Sequence, residues 1–409
     1  MPDLYPYQEI GARWLADHPR GLLADEMGLG KSAQAIRAAD LVGARRVLVI
    51  CPAAARTNWH REFDRFSLTR PHVDVISYER AAKGWDDPFD TLICDEAHYI
   101  KNPRSKRTKA VYAKRGGLMH RAERVWLLTG TPMPNDPREV WPMLHYMFGC
   151  EMNEWRFTRR FCSGYENAFG GFVVTGGKNM SALKKMIDPH MLRRKAEDEL
   201  DLPPLRFCSS ALDAKTTGDL KALEDEIGPD ILAMLESGDD GALARLKAKA
   251  PHVAQLRRLT GLVKAPAIAD RVASALSEEL KAVGIFCLHT DVISYMKERL
   301  KSFGVVTVDG SNSSRAQAAV DAFQSGAARV FIGQIKSAGT ALTLTAGRHV
   351  VFAETAWTPA DNLQAAKRFH RIGQKGSVMV DMPYLPGSID ERVTEVCRRK
   401  TATAAGVFG

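Results

Sequence analysis

No apolar stretch in the 409 residues approaches the roughly 18 needed to cross a bilayer. The opening segment MPDLYPYQEI lacks the basic-then-apolar order of a secretory leader. A soluble protein with no membrane partner is therefore expected, cytoplasmic or, in a eukaryotic cell, nuclear. Cysteine is sparse: seven residues (51, 94, 150, 162, 208, 287 and 397) lie far apart, and no pair has Cys-x-x-Cys spacing. That spacing excludes a zinc knuckle. Cys51, Cys94 and Cys287 each close an aliphatic run and read as core filler in a reducing compartment. Internal repeats and low-complexity tracts are also missing. Between Glu96 and Glu123 there is no acidic residue, while residues 101–115, KNPRSKRTKAVYAKR, carry seven Lys or Arg. With a net charge of +9, this gap favours a polyanionic partner, although a solvated basic face has about equal weight.

A chain of this length exceeds one ordinary core, so two domains are expected. Short apolar runs alternate with amphipathic stretches such as Ala267–Ala282, the pattern of α/β units around a parallel sheet. Strands are expected at 21–24, 47–51, 73–77, 91–94 and 125–129, then at 285–288, 305–308, 330–333, 350–353 and 378–382. Two sheets follow from these two sets. Residues 164–179, rich in Gly and aromatics, read as a hairpin or loop. Residues 206–250 show no good strand. The expected division is 1–205, 206–261 as a helical linker or insertion, and 262–409.

The stretch GLLADEMGLGKSAQAI (21–36) poses a question. Gly30-Lys31-Ser32 follows a strand and opens a helix, the setting in which backbone amides cradle phosphates. Lys31 would reach the β/γ-phosphates and Ser32 would ligate Mg²⁺. Yet the first glycine of the usual phosphate-loop pattern is replaced by Asp25; a serine-capped glycine turn is the plainer reading of this segment. Further on, LICDEAHYIKN (92–102) places Asp95 and Glu96 at a strand's carboxyl edge, where ligands of open α/β sheets bind. Asp95 can hold Mg²⁺ and Glu96 can position and deprotonate a water; alternatively the pair only opens a helix. LLTGTPMPN (127–135) brings Thr129 and Thr131 to the same edge, suited to sensing a γ-phosphate, or to forming an ordinary turn.

Taken together, DEMGLGKS, DEAH, LTGTP, SAGTALTLTAG (337–347) and QAAKRFHRIGQ (364–374) occur in the order of superfamily 2 helicase motifs. Their wording resembles the Swi/Snf-type DNA translocases over nearly the whole chain, and Asp25 matches that family's variant of the loop. YPYQ (5–8) looks like its adenine-recognising motif and ICPAAARTNW (50–59) like its first DNA-contacting motif. MLRRKAEDELDLPP (191–204) is similar to the segment that closes its first lobe. Residues 159–183 look most like the annealing-helicase branch.

The resemblance implies two RecA-like lobes with parallel sheets flanking an ATP cleft, joined by a helical insertion. It implies ATP and Mg²⁺ as cofactors, with nucleotide contacts from Gln8, Asp25, Gly28, Gly30, Lys31, Ser32, Thr129, Gly339 and Gln364. Arg368 and Arg371 match the paired arginines that reach the γ-phosphate; spaced three apart, they are expected on one helix face. Lys101, Lys106, Arg107, Lys109, Thr131 and Thr340 are the expected nucleic-acid contacts. Lys367 stands where an acidic residue is usual, and Thr340 where glycine is frequent. The implied activity is ATP-driven movement along double-stranded or branched DNA, with strand annealing or fork remodelling in view. No additional reader or nuclease module is visible, which leaves targeting to an accessory protein. The alternatives are a strand-separating RNA or DNA helicase and a non-catalytic annealing factor.

Overall fold

The computed structural model describes residues 3–130, 132–133, 136–166, 172–237, 240–310, 315–335 and 342–408. Thr131, Gly339 and Thr340 lie outside them. The chain divides into two compact units, Met1–Leu200 and Asp201–Gly409.

In the first unit, β1 (Arg20–Leu23), β2 (Arg46–Cys51), β3 (His72–Ser77), β4 (Thr91–Asp95) and β5 (Arg124–Leu128) appear where the sequence places them. Two further strands, β6 (Cys162–Glu166) and β7 (Phe172–Gly177), form an antiparallel hairpin, and β8 (Met191–Leu192) joins the main sheet. That sheet has the order β3-β2-β4-β5-β1-β8 and its pairs are parallel. Its central strands read as continuous aliphatic runs because helices cover both faces; Val47 to Cys51 are almost wholly buried. The order matters for function: β5 lies between β1 and β4, so residues just after these three strands share one sheet edge.

The second unit repeats the plan. Its strands are β9 (Leu205–Ala211), β10 (Val283–Cys287), β11 (Val305–Val308), β12 (Val330–Gln334), β13 (His349–Phe352) and β14 (Val378–Tyr384). They form a parallel sheet of order β11-β12-β10-β13-β14-β9. The expectation of no strand in 206–250 is corrected by β9, which pairs with β14 from Leu205↔Val378 to Ala211↔Tyr384. LRFCSSA escaped notice because an edge strand, half exposed, needs few aliphatic residues. Nor do residues 206–261 stand apart as a linker. The helices Gly218–Ser237 and Ala250–Ser277 pack Leu220, Ile227, Ile231 and Leu256 against Val393 and Val396 of the helix Ile389–Phe408, a core within the second unit.

Candidate active site

β1 ends in the loop Ala24–Gly30, which turns into the helix Lys31–Leu41. The turn uses left-handed backbone at Gly28 (φ +95°) and Gly30 (φ +71°), conformations that glycine adopts without steric cost. A side chain at Gly30 would also strike Nε2 of Gln8. Gln8 is buried, donates to Leu29 O (3.1 Å) and accepts from Tyr5 N (3.0 Å). The proposed adenine-reading residue therefore rests directly on the loop. Lys31 Nζ folds back to donate to Asp25 O (2.8 Å) and Glu26 O (3.3 Å), holding its ammonium over the loop. Ser32 is the second residue of the helix and partly exposed.

Asp25 has a different place from the one expected. It is fully buried, and its carboxylate accepts from Arg194 N and Nε (3.1 Å each), Arg194 Nη2 (2.5 Å) and Gln34 Nε2 (3.0 Å). Both oxygens are turned inward to these donors, so the Asp25 carboxylate braces the loop. The missing glycine of the phosphate-loop pattern thus has a structural use. Arg194 also donates to Gln34 Oε1 (2.7 Å) and lies over the Tyr7 ring at 5.3 Å, so one guanidinium ties β8's end to the loop, the helix and the Gln8 segment. Sequence reasoning missed it because the partners are 169 residues apart.

Asp95 ends β4, nearly buried. Its Oδ2 accepts from the Trp59 indole (2.9 Å) and its Oδ1 from Glu96 N (2.9 Å), while Tyr78 Oη donates to its carbonyl (2.7 Å). Burial, then the neighbouring Glu96 charge, pushes its carboxyl up to about 6, against the pull of the Trp59 hydrogen bond and the Lys31 charge. Glu96 itself is held at φ +51°, ψ +52°, a conformation costing roughly 1–3 kcal/mol in a non-glycine residue and often found at functional sites. His98 Nδ1 lies 3.3 Å from Glu96 Oε2 and 3.4 Å from Thr129 Oγ1, linking the acid after β4 to the hydroxyl after β5. Thr129 is buried, its amide donating to Leu23 O (3.2 Å). Trp59, at the end of the ICPAAARTNW segment, and His98, the last residue of DEAH, are further groups touching these side chains to which the sequence reading assigned no individual role.

A glycine-containing loop before a helix N-terminus, an ammonium, two carboxylates and a hydroxyl therefore meet at one sheet edge, an arrangement suited to attack of water on a phosphoanhydride. Among the described residues no group of three His, Cys, Asp or Glu could hold a metal unaided. The residues nevertheless fit Mg²⁺, which takes one or two hard oxygen ligands and completes its shell with substrate phosphates and water. Ser32 and Asp95 supply such oxygens, and the crowded Asp95–Glu96 pair is a place where added positive charge is favourable.

The second unit corrects one expectation. The helix Pro359–Ala366 ends before the arginines, so Arg368 and Arg371 lie in successive turns and share no helix face. Bonds from Arg368 N to Ala365 O and from Phe369 N to Ala366 O tighten the end. Gln374 Nε2 then holds the turn by donating to Phe369 O (2.9 Å), Gly347 O (3.0 Å) and Thr345 O (3.3 Å). Arg368 is buried; Arg371 is partly exposed and donates to Leu342 O (2.8 Å) and Thr343 Oγ1 (3.0 Å). Gln364 is partly exposed on the helix. Sequence reasoning also passed over a pocket of about 900 Å³ at the carboxyl edge of this sheet, lined by His289, Gln334, Trp357 and Arg257 among others. There Arg257 lies 4.7 Å over the Trp357 ring, and the buried Glu354 holds His289 through Nδ1 (2.5 Å) and its amide (2.9 Å).

The basic run separates into two kinds of residue. On the helix Lys106–Tyr112, capped by Ser105, Thr108, Val111 and Tyr112 face the core while Lys106 and Lys109 are exposed. Arg107 lies 5.3 Å over the Tyr99 ring and 3.9 Å from Glu79. Lys101 departs from the expectation of an open contact: its ammonium pairs with Glu139 Oε1 at 2.5 Å, partly buried.

The SNF2-related domain profile matches residues 7–86 and 80–208, and that of the helicase conserved C-terminal domain matches 267–373. The chain is 29% identical, over 97% of its length, to the Caenorhabditis elegans homolog of the SWI/SNF-related matrix-associated actin-dependent regulator of chromatin subfamily A-like protein 1, covering 61% of that protein. It is 27% identical to the mouse DNA annealing helicase and endonuclease ZRANB3, over 97% of this chain and 40% of that one. Among solved structures it is similar to the Sulfolobus solfataricus SWI2/SNF2 ATPase core in complex with dsDNA: 21% identity, TM-score 0.44, 100% of this chain and 92% of that one covered. The chain thus spans about 40 to 61% of these curated relatives' lengths. By the two domain profiles, matched in order by its two α/β units, the chain belongs to the SNF2-related family of helicase-like ATPases.

Proposed function

We propose that this chain is a DNA-dependent ATPase that couples Mg²⁺-ATP hydrolysis to movement along double-stranded DNA. The observation that carries the reading is the single sheet edge at which the Gly30–Lys31 loop, Asp95, Glu96 and Thr129 converge. In this reading Gln8 selects adenine, and loop amides and Lys31 hold the phosphates. Asp95 and Ser32 hold Mg²⁺, which would neutralise charge on the phosphate oxygens. Glu96 orients and deprotonates water, with His98 fixing its carboxylate relative to Thr129. Arg368 and Arg371 are assigned to γ-phosphate stabilisation, the role that the family resemblance implies for them.

Phosphate contacts from Lys106, Arg107 and Lys109 would hold the duplex without reading its sequence. Relatives named for DNA annealing support branched DNA as a substrate. The test is ATP turnover with duplex DNA, single-stranded DNA and RNA, alongside displacement of a triple-helix strand. ATP-dependent displacement with duplex-stimulated turnover is expected. Better stimulation by RNA would favour the strand-separating alternative, and none by any nucleic acid would leave a non-catalytic binding factor.

A further inference from the structure

The helix Glu154–Phe161 and the β6–β7 hairpin after it take no part in the site above. The sequence EWRFTRRF places Phe157, Thr158 and Phe161 inward and leaves Trp155, Arg156, Arg159 and Arg160 on the solvent face. Trp155 is 65% exposed, the one exposed tryptophan among the described residues. It is nonetheless held: the Arg159 guanidinium lies 5.4 Å over its ring and 4.8 Å over the ring of Phe172 on β7. Arg159 also pairs with Glu166 on β6, directly across the hairpin from Phe172. The guanidinium thus ties the indole to the hairpin while leaving most of its surface exposed. Arg156 and Arg160, four residues apart, share an exposed helix face adjoining the indole, with the Arg160 guanidinium 5.4 Å over the Phe161 ring. Of the nearby carboxylates, Glu166 is taken by Arg159, and Glu154 lies 3.8 Å from Arg104.

We propose that this helix face binds unpaired nucleotides of a DNA strand, with a base stacked on Trp155 and flanking phosphates on Arg156 and Arg160. The inference rests on the reading of the protein as a DNA-dependent motor and adds a second, distinct contact to it. Unpaired DNA fits better than duplex, because a duplex buries its base faces in its own stack and offers nothing for an open indole to cover. Rigid aromatic platforms beside arginines are the general means of holding single strands without regard to sequence. A strand held here beside a tracked duplex gives the protein a way to recognise a branch point.

The test titrates the full chain with a fluorescent single-stranded oligonucleotide, a fork with unpaired arms, and a blunt duplex of matched sequence. Trp155→Ala and the double variant Arg156→Ala/Arg160→Ala are each expected to weaken single-strand and fork binding about tenfold, in line with the loss of one stacked base or two phosphate contacts. Trp155→Phe should recover most of the loss. Blunt-duplex affinity and duplex-stimulated ATP turnover should stay at parent levels, which also reports that the variants are folded. Unchanged single-strand affinity in both variants overturns the proposal, as does an equal loss on blunt duplex or a parent chain that does not bind the single strand. If Trp155→Ala weakens single-strand binding but no DNA stimulates the parent's ATP turnover, the site stands and the motor reading fails.

Discussion

Lys31 carries the heaviest demand of any residue in this account. Its ammonium is satisfied by carbonyls of its own loop, Asp25 O and Glu26 O, so removing it disturbs little packing. Lys31→Ala should leave the melting temperature within a few degrees of the parent while lowering ATP turnover to background, measured by phosphate release. Lys367 presents the opposite balance. It is nearly buried, and burial lowers its pKa to about 8. Because the folded state holds that proton less tightly than the unfolded chain, the charge opposes folding at pH values below 8. The penalty fades as pH rises through the interval from about 8 to the ordinary lysine value. Lys367→Met should therefore stabilise the protein at pH 7, by at most about 3 kcal/mol, and the gain should shrink toward zero by about pH 10. Denaturant melts across that range measure it; a gain that grows with pH would contradict the burial argument.

At the scale of elements, the Asp25–Arg194 pair joins the phosphate loop to the segment after β8, and with it the Gln8 helix. Removing one member of a buried ion pair leaves an uncompensated charge and costs on the order of 3–5 kcal/mol. Arg194→Met should show a loss of that size in chemical denaturation and a raised KM for ATP, while Asp25→Asn combined with Arg194→Met should recover part of the stability. If the single variant is as stable as the parent, the clamp is not what holds the loop. Elements also explain what was legible in the sequence. All ten expected strands are present because buried parallel strands must be aliphatic, and Lys31, Asp95 and Glu96 stood out because their chemistry belongs to residue type at a strand's end. Cys51, Cys94 and Cys287 are buried filler, as their runs implied. The supports were not legible: Trp59 meets Asp95 across 36 residues and Arg194 meets Asp25 across 169, contacts that only the strand order creates. The shared helix face for Arg368 and Arg371 failed for a local reason, since Gln374's three carbonyl contacts stabilise a turn where spacing alone suggested another helical turn.

For the whole molecule, charge and architecture lead to one behaviour. A chain with net charge +9 and an exposed Lys106/Lys109 face should bind DNA mainly through phosphates, so affinity should fall steeply with salt and little with sequence. Replacing Lys106, Arg107 and Lys109 by alanine should reduce the slope of log affinity against log salt by up to about 3, roughly equally on unrelated duplexes; a loss confined to one sequence would point to base readout. Arg371→Ala should spare ATP binding, followed with a fluorescent analogue, and lower turnover by about a thousandfold or more; parent turnover would remove that arginine from catalysis. The central claim is that nucleotide hydrolysis in this chain is coupled to duplex DNA. The most direct measurement is steady-state phosphate release by the parent chain with Mg²⁺-ATP, with and without linear duplex DNA of arbitrary sequence, against Lys31→Ala in parallel. The account predicts strong stimulation by the duplex in the parent and none in the variant. Equal turnover with and without duplex, or a fully active Lys31→Ala protein, would contradict it.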